Sequence, residues 1–168
     1  MDHPNVEWRV LLVDDDEDDY LITREMLGEV RGRNITLDWA PGYQVGQKMI
    51  LDQAYEAILV DYDLGASSGI QFIREAVRNG CPVPLILYTG RGSYQVALEA
   101  MEAGATLYLI KTEVTPLLLQ RSLRLAIERS RIEHELRESE NKFSVIFEKA
   151  AFAASLSKMP GNTLVNVN

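Results

Sequence analysis

Along most of the chain, short runs rich in β-branched and other apolar residues alternate with stretches in which apolar residues recur at helical spacing. The runs are Val10–Val13, Ile35–Ala40, Ala57–Val60, Pro84–Tyr88 and Leu107–Ile110, and they predict five strands. Between them, Ile22, Met26 and Val30, then Ile70, Ile73 and Val77, then Val96, Ala100 and Met101 predict amphipathic helices. A further helix is expected over residues 42–52, weakened by Gly42 and Gly46. Several runs are nearly all apolar instead of alternating, as strands of a parallel sheet covered on both faces must be. Strand and helix repeating on this scale predict a doubly wound α/β domain of about 125 residues.

From Thr115 onward the pattern becomes one extended C-terminal helix, with no Gly or Pro between Pro116 and Pro160. Leu118, Leu125 and Ile132, then Leu136 and Phe143, follow a seven-residue step with one four-residue stutter, the mark of a coiled-coil seam. The companion positions Ser122 and Arg129 are polar, so a solvated helix hugging its own domain at its start is an equal reading. The chain thus divides into a globular domain over residues 7–130, a helical linker over 131–142 and a short remainder over 143–168.

Residues just past strand ends matter most, because open α/β sheets bind their ligands outside the carboxyl ends of the strands. Here the first strand delivers Asp14 and Asp15, the third Asp61, the fourth Thr89 and the fifth Lys111. With a flavodoxin-like strand order, 2-1-3-4-5, the first and third strands are neighbours and the three carboxylates share one spot. Like charges about 4 Å apart repel by roughly 4 kcal/mol at an effective dielectric of 20, so the cluster calls for a cation. Mg²⁺ suits carboxylate oxygens supplemented by water and a substrate phosphate, and Mn²⁺ would satisfy the same shell. With the acid screened, Asp61 is placed to attack phosphorus, with Lys111 and Thr89 facing the phosphoryl oxygens.

Composition narrows the field. A net charge of −8 and a pI near 4.8 disfavour a nucleic-acid partner. A single cysteine, Cys81, allows no disulfide and suits a reducing, cytoplasmic setting, and no apolar run reaches the roughly 18–20 residues needed to span a membrane.

The segments Val10–Asp15 (VLLVDD), Ile58–Asp61 (ILVD), Leu85–Gly90 (LILYTG) and Gly104–Lys111 (GATLYLIK) resemble, in order, the signature segments of response-regulator receiver domains. The resemblance covers residues 7–130. It implies that Asp61 accepts a phosphoryl group from a histidine kinase or histidine phosphotransfer protein and that Asp14 and Asp15 help bind Mg²⁺. Asp63 would lend the metal a backbone carbonyl. Thr89 and Lys111 would contact the phosphoryl group, and Tyr108 would be the aromatic that swings inward with Thr89. Output is expected through the helix near residues 94–103, the fifth strand and the last helix. Three positions depart from the family pattern: Thr112 follows Lys111 where proline is usual, so a trans peptide is expected there; Thr106 replaces a common aspartate; and Gly65 stands where proline is frequent. Such a module is expected to act only on its own aspartate and not as an enzyme.

Plainer readings stand beside these. Asp16, Glu17, Asp18 and Asp19 are expected to be ordinary acids at a helix start, favoured by capping and the helix dipole. Asp61-Tyr62-Asp63 also resembles the Asp-x-Asp of haloacid dehalogenase-like phosphatases, although in that family the motif lies on the first strand. A non-catalytic scaffold that forms a homodimer through the last helix is a third alternative. Glu138–Phe147 (ESENKFSVIF), then Ala151 onward to Val165, Asn166, Val167 and Asn168, resemble the opening of a PAS domain, so residues 143–168 are expected to be its truncated start, with the rest of the PAS domain and an output module downstream.

Overall fold

The computed structural model describes residues 7–29, 34–52, 54–90 and 92–157, with side chains as far as residue 142. Two compact units are distinguished, Met1–Arg131 and Ile132–Asn168. In the first, five strands form one parallel sheet: β1 (Trp8–Val13), β2 (Ile35–Ala40), β3 (Ala57–Val60), β4 (Leu85–Thr89) and β5 (Leu107–Ile110). Their spatial order is β2-β1-β3-β4-β5, the expected flavodoxin-like arrangement. The helices are α1 (Glu17–Gly28), α2 (Tyr43–Asp52), α3 (Gly69–Arg78), α4 (Tyr94–Ala103) and the long α5 (Pro116–Ser157). Between β3 and α3, Asp63–Leu64 pairs antiparallel with Ser67–Ser68 in a small hairpin.

Alternation along the central strands splits the core in two. Leu11, Val13, Ile58, Val60, Leu85 and Leu87 point to the side covered by Phe72 and Ile73 of α3 and Ala100 of α4. Val10, Leu12, Leu59, Ile86 and Tyr88 point to the other side, under Leu27 of α1 and Leu119 and Leu123 of α5. Each central strand is therefore apolar on both faces, which is why these runs show little alternation.

The register extends two strands beyond their apolar runs. β1 begins at Trp8, because Trp8 and Arg9 already pair with Ile35 and Thr36, Arg9 remaining on the strand by holding Asp38 at 2.7 Å. β4 runs to Thr89, which pairs with Ile110, while Pro84, which has no N–H, contributes only its carbonyl to Ile58. α2 forms in spite of Gly46 for a packing reason: a Cβ there would lie 2.8 Å from a Val13 methyl and 3.0 Å from the Phe72 ring. The helix sits so close to the sheet that only glycine fits.

The predicted helix faces meet the core apart from one position on each helix: Ile70, Ile73 and Ala100 are buried, and Met26 and Val96 pack against the core. Ile22, Val77 and Met101 are exposed, while Thr23 and Leu27 in α1 and Ala103 in α4 are buried; Val30 lies outside the described residues. In α5, begun by Thr115 capping the Leu118 amide and Pro116 in the first turn, the buried stripe is Leu119, Ser122, Leu123 and Ala126. Leu118, Leu125, Ile132 and Leu136 are exposed, so the predicted seam is not what packs on the sheet, and polar Ser122 is 7% exposed. The Phe143 side chain lies outside the described residues, and the backbone of 143–157 continues α5. No described residue is in a cis peptide, Thr112 included, as its lack of a proline ring predicts. Among the described residues no helix is long and apolar enough to cross a membrane.

Candidate functional site

Backbone bonds at the carboxyl edge of the sheet bring the site residues into one row. The Asp14 amide donates to the Ala40 carbonyl, the Asp61 amide to Val13 and the Lys111 amide to Thr89, at 2.9–3.1 Å. Parallel strands, in register, end together here, and the side chains just past their ends are delivered to one place. α3 presses on the same spot: the Gly69 amide donates to the Tyr62 carbonyl at 2.7 Å, and a Cβ on Gly69 would fall 1.8 Å from the Asp61 carbonyl oxygen.

Lys111 is the hub. Its Nζ lies 2.6 Å from Asp14 Oδ2, 2.6 Å from Asp19 Oδ2 and 2.8 Å from Asp61 Oδ1. The second oxygen of each central carboxylate is held by backbone: Asp14 Oδ1 accepts from the Asp16 amide at 2.9 Å, and Asp61 Oδ2 from the Asp63 amide at 2.8 Å. Tyr88 lies under the ammonium, 5.7 Å from Nζ to ring centroid. Asp14, Thr89 and Asp61 are buried, and Asp15 is exposed.

The site is rich in negative charge. Burial foremost pushes the Asp14 carboxyl up to about 6, the nearby Asp61 charge adding to the effect, while the hydrogen bonds from Lys111 and the Asp16 amide pull the other way. Burial works against the Lys111 ammonium too, but the hydrogen bonds to Asp14, Asp19 and Asp61 outweigh it and hold its pKa above the ordinary lysine value. Asp14, Asp15 and Asp61 each offer an oxygen, all within 4.8 Å of one another. Octahedral Mg²⁺ with bonds of about 2.1 Å takes ligand oxygens roughly 3–4 Å apart, and three carboxylates clustered within 4.8 Å suit it as a donor set.

A clamp fixes the start of α1. Asp16 caps the helix by accepting from the Asp18 amide at 2.9 Å. Tyr20 stacks on Trp39 with centroids 5.3 Å apart and planes 10° from parallel, and the Trp39 indole N–H donates to the Asp14 carbonyl at 2.8 Å. The first turn of the helix, the end of β2 and the loop bearing Asp14 are thus tied together.

Asp14, Asp15, Asp61 and Lys111 meet here, and Thr89 is buried at the end of β4, its carbonyl accepting from the Lys111 amide. Asp63 brings its amide to Asp61, while its side chain is exposed on the hairpin and is not among the three clustered carboxylates. Tyr108 stands further off, half-buried against the core, its hydroxyl accepting from the Ser93 amide at 3.2 Å, ahead of α4. Gly90 has open space where a Cβ would be. One residue was missed. Asp19, expected to serve only the helix dipole, reaches Lys111 directly. Its signal was the spacing Asp19, Thr23, Leu27, a four-residue stripe whose two later members are buried.

The family model for the response regulator receiver domain matches residues 10–122. Of curated proteins, the transcriptional regulatory protein ZraR of Escherichia coli is 28% identical over 111 residues, 66% of this chain and 24% of ZraR. The two-component response regulator PhoP of Pseudomonas aeruginosa is 25% identical over 95 residues, 56% of this chain and 42% of PhoP. This chain spans less than half the length of either relative. In fold it is similar to a CheY-like receiver domain protein from Methanospirillum hungatei, with TM-score 0.66 and 23% identity, covering 76% of this chain and 99% of the other. A receiver domain from Clostridium thermocellum gives TM-score 0.63 and 25% identity over 74% and 98%. A doubly wound sheet in this order, with the acidic residues and the lysine at its carboxyl edge, and a family model matched over more than half of the sequence lead to one conclusion: the chain belongs to the response regulator receiver domain family of two-component systems.

Proposed function

We propose that this domain is a phosphoacceptor switch in which Asp61 takes a phosphoryl group from a histidine kinase or histidine phosphotransfer protein. The observation that carries the reading is the convergence of Asp14, Asp61 and Lys111 within 2.6–2.8 Å, with Asp15 completing a three-carboxylate cluster. An Asp61 oxygen attacks phosphorus; the bond from phosphorus to the donor's nitrogen or acyl oxygen breaks, and the leaving group departs with the electron pair. Asp14, Asp15 and Asp61, with the carbonyl of Asp63, would hold Mg²⁺, or Mn²⁺ in its place, and the ion would neutralise charge on the phosphoryl oxygens. Lys111 and Thr89 pair with those oxygens, and Tyr108 follows Thr89 inward, altering the surface of α4, β5 and α5, where Tyr94, Leu98, Met101 and Leu118 are exposed.

The phosphorylated surface would then act on a PAS module beginning at residues 143–168 and an output domain beyond it, through the helical linker 131–142 and by homodimer formation along α5. ZraR and PhoP are regulators by name. In the presence of Mg²⁺ and acetyl phosphate, intact-mass measurement should show one added phosphoryl group on the wild type and none on Asp61→Asn. An equally labelled variant defeats the proposal, and multiple turnover of phosphate monoesters would favour the phosphatase alternative.

A further inference from the structure

Asp19 lies outside the acidic pair at the strand end, yet it makes one of the two shortest contacts to Lys111. An ammonium has three N–H donors. Three carboxylates surround this one at 2.6, 2.6 and 2.8 Å, so every donor is committed. A phosphoryl oxygen that is to reach Lys111 must therefore displace one of them. Asp61 is the acceptor itself, and Asp14 has a side chain only 1% exposed, with nowhere to turn for water. Asp19, at 33%, is the partner that solvent can take over at least cost. It is also held in place: the capped first turn, the Tyr20–Trp39 stack and the burial of Thr23 one turn on fix the face of α1 that carries it.

We propose that Asp19 is a positioning residue that holds Lys111 while the domain is free of phosphate and yields it to the incoming phosphoryl group. This rests on the phosphoacceptor reading above. Every donor that binds breaks the Lys111–Asp19 pair, so the pair raises the donor concentration needed for labelling without touching the reacting atoms. Its effect falls on the binding of the phosphodonor, and the maximal rate of transfer to Asp61 is set elsewhere.

The test is the rate of labelling by acetyl phosphate at saturating Mg²⁺, measured against donor concentration in four variants. In Asp19→Asn and Asp19→Ala the half-saturating concentration should fall about two- to fivefold, the worth of a partly exposed ion pair, with the maximal rate held. Asp19→Glu should restore wild-type behaviour. Asp18→Asn removes the same charge from the same helical turn at an exposed position with no contact to Lys111, and should change nothing. An unchanged half-saturating concentration in Asp19→Asn, or an equal shift in Asp18→Asn, overturns the inference, as does a fall in maximal rate alone. A wild type that takes no label sinks the phosphoacceptor reading instead, and this inference with it.

Discussion

At the scale of single residues, the site sets stability against function. Asp14 is buried with its carboxyl raised from about 3.8 to about 6. Between those values the folded chain binds more protons than the unfolded one, so stability falls as pH rises through the window and is flat above it. At neutral pH the metal-free chain therefore carries an ionised, buried acid. Asp14→Asn keeps an oxygen for the Asp16 amide and removes the charge, so in EDTA at pH 7 it should be more stable than wild type by about 2 kcal/mol in denaturant unfolding, a gap that closes near pH 4. A less stable variant at pH 7 would mean that the Lys111 pair outweighs burial. The strand-end residues were legible because each reacting group stands immediately after an apolar run. Asp19 was not, because a helix-start acid has an ordinary use, and the burial of Thr23 and Leu27 that turns its face inward is a tertiary fact.

At the scale of elements, two close approaches decide the geometry. The amide end of α3 meets the Asp61 carbonyl so tightly that Gly69→Ala should cost about 1–3 kcal/mol and shift the acceptor loop, with loss of labelling at Asp61. Unchanged stability and labelling would show that the loop yields easily. In α5 the predicted seam and the observed buried stripe are one position apart, which single substitutions separate. Leu119→Ala should destabilise by about 2–5 kcal/mol, and Leu125→Ala, 65% exposed, by less than about 0.5 kcal/mol in the monomer. Heptad spacing finds every apolar stripe on a helix, but which stripe meets the sheet depends on where Thr115 and Pro116 start the helix and how β5 feeds it. That is why the strands were read to within two residues while the stripe of α5 that meets the sheet was not.

At the scale of the whole domain, the strand order follows from apolar runs, connecting helices and the position of the acids, so the architecture was open to reading from the start. What the acids do collectively is a property of the assembled sheet. Three carboxylates, Asp14, Asp19 and Asp61, contact one ammonium, and Asp15 clusters with two of them, in a chain of net charge −8. A divalent cation that binds only the folded state should raise the melting temperature, with about 2.7 kcal/mol gained at a hundredfold excess over its dissociation constant. NaCl at matched ionic strength should do much less, and Asp15→Asn should weaken the Mg²⁺ effect. Equal stabilisation by both salts would reduce the cluster to general charge repulsion.

The bond from the Trp39 indole to the Asp14 carbonyl has a practical consequence. It wires a natural fluorophore to the loop that carries the metal-facing acids. The chain's other tryptophan, Trp8, is buried at the opposite end of β1. A Trp8→Phe protein would thus emit from a single indole, and occupancy of the pocket would be readable as a colour or intensity change without any attached dye.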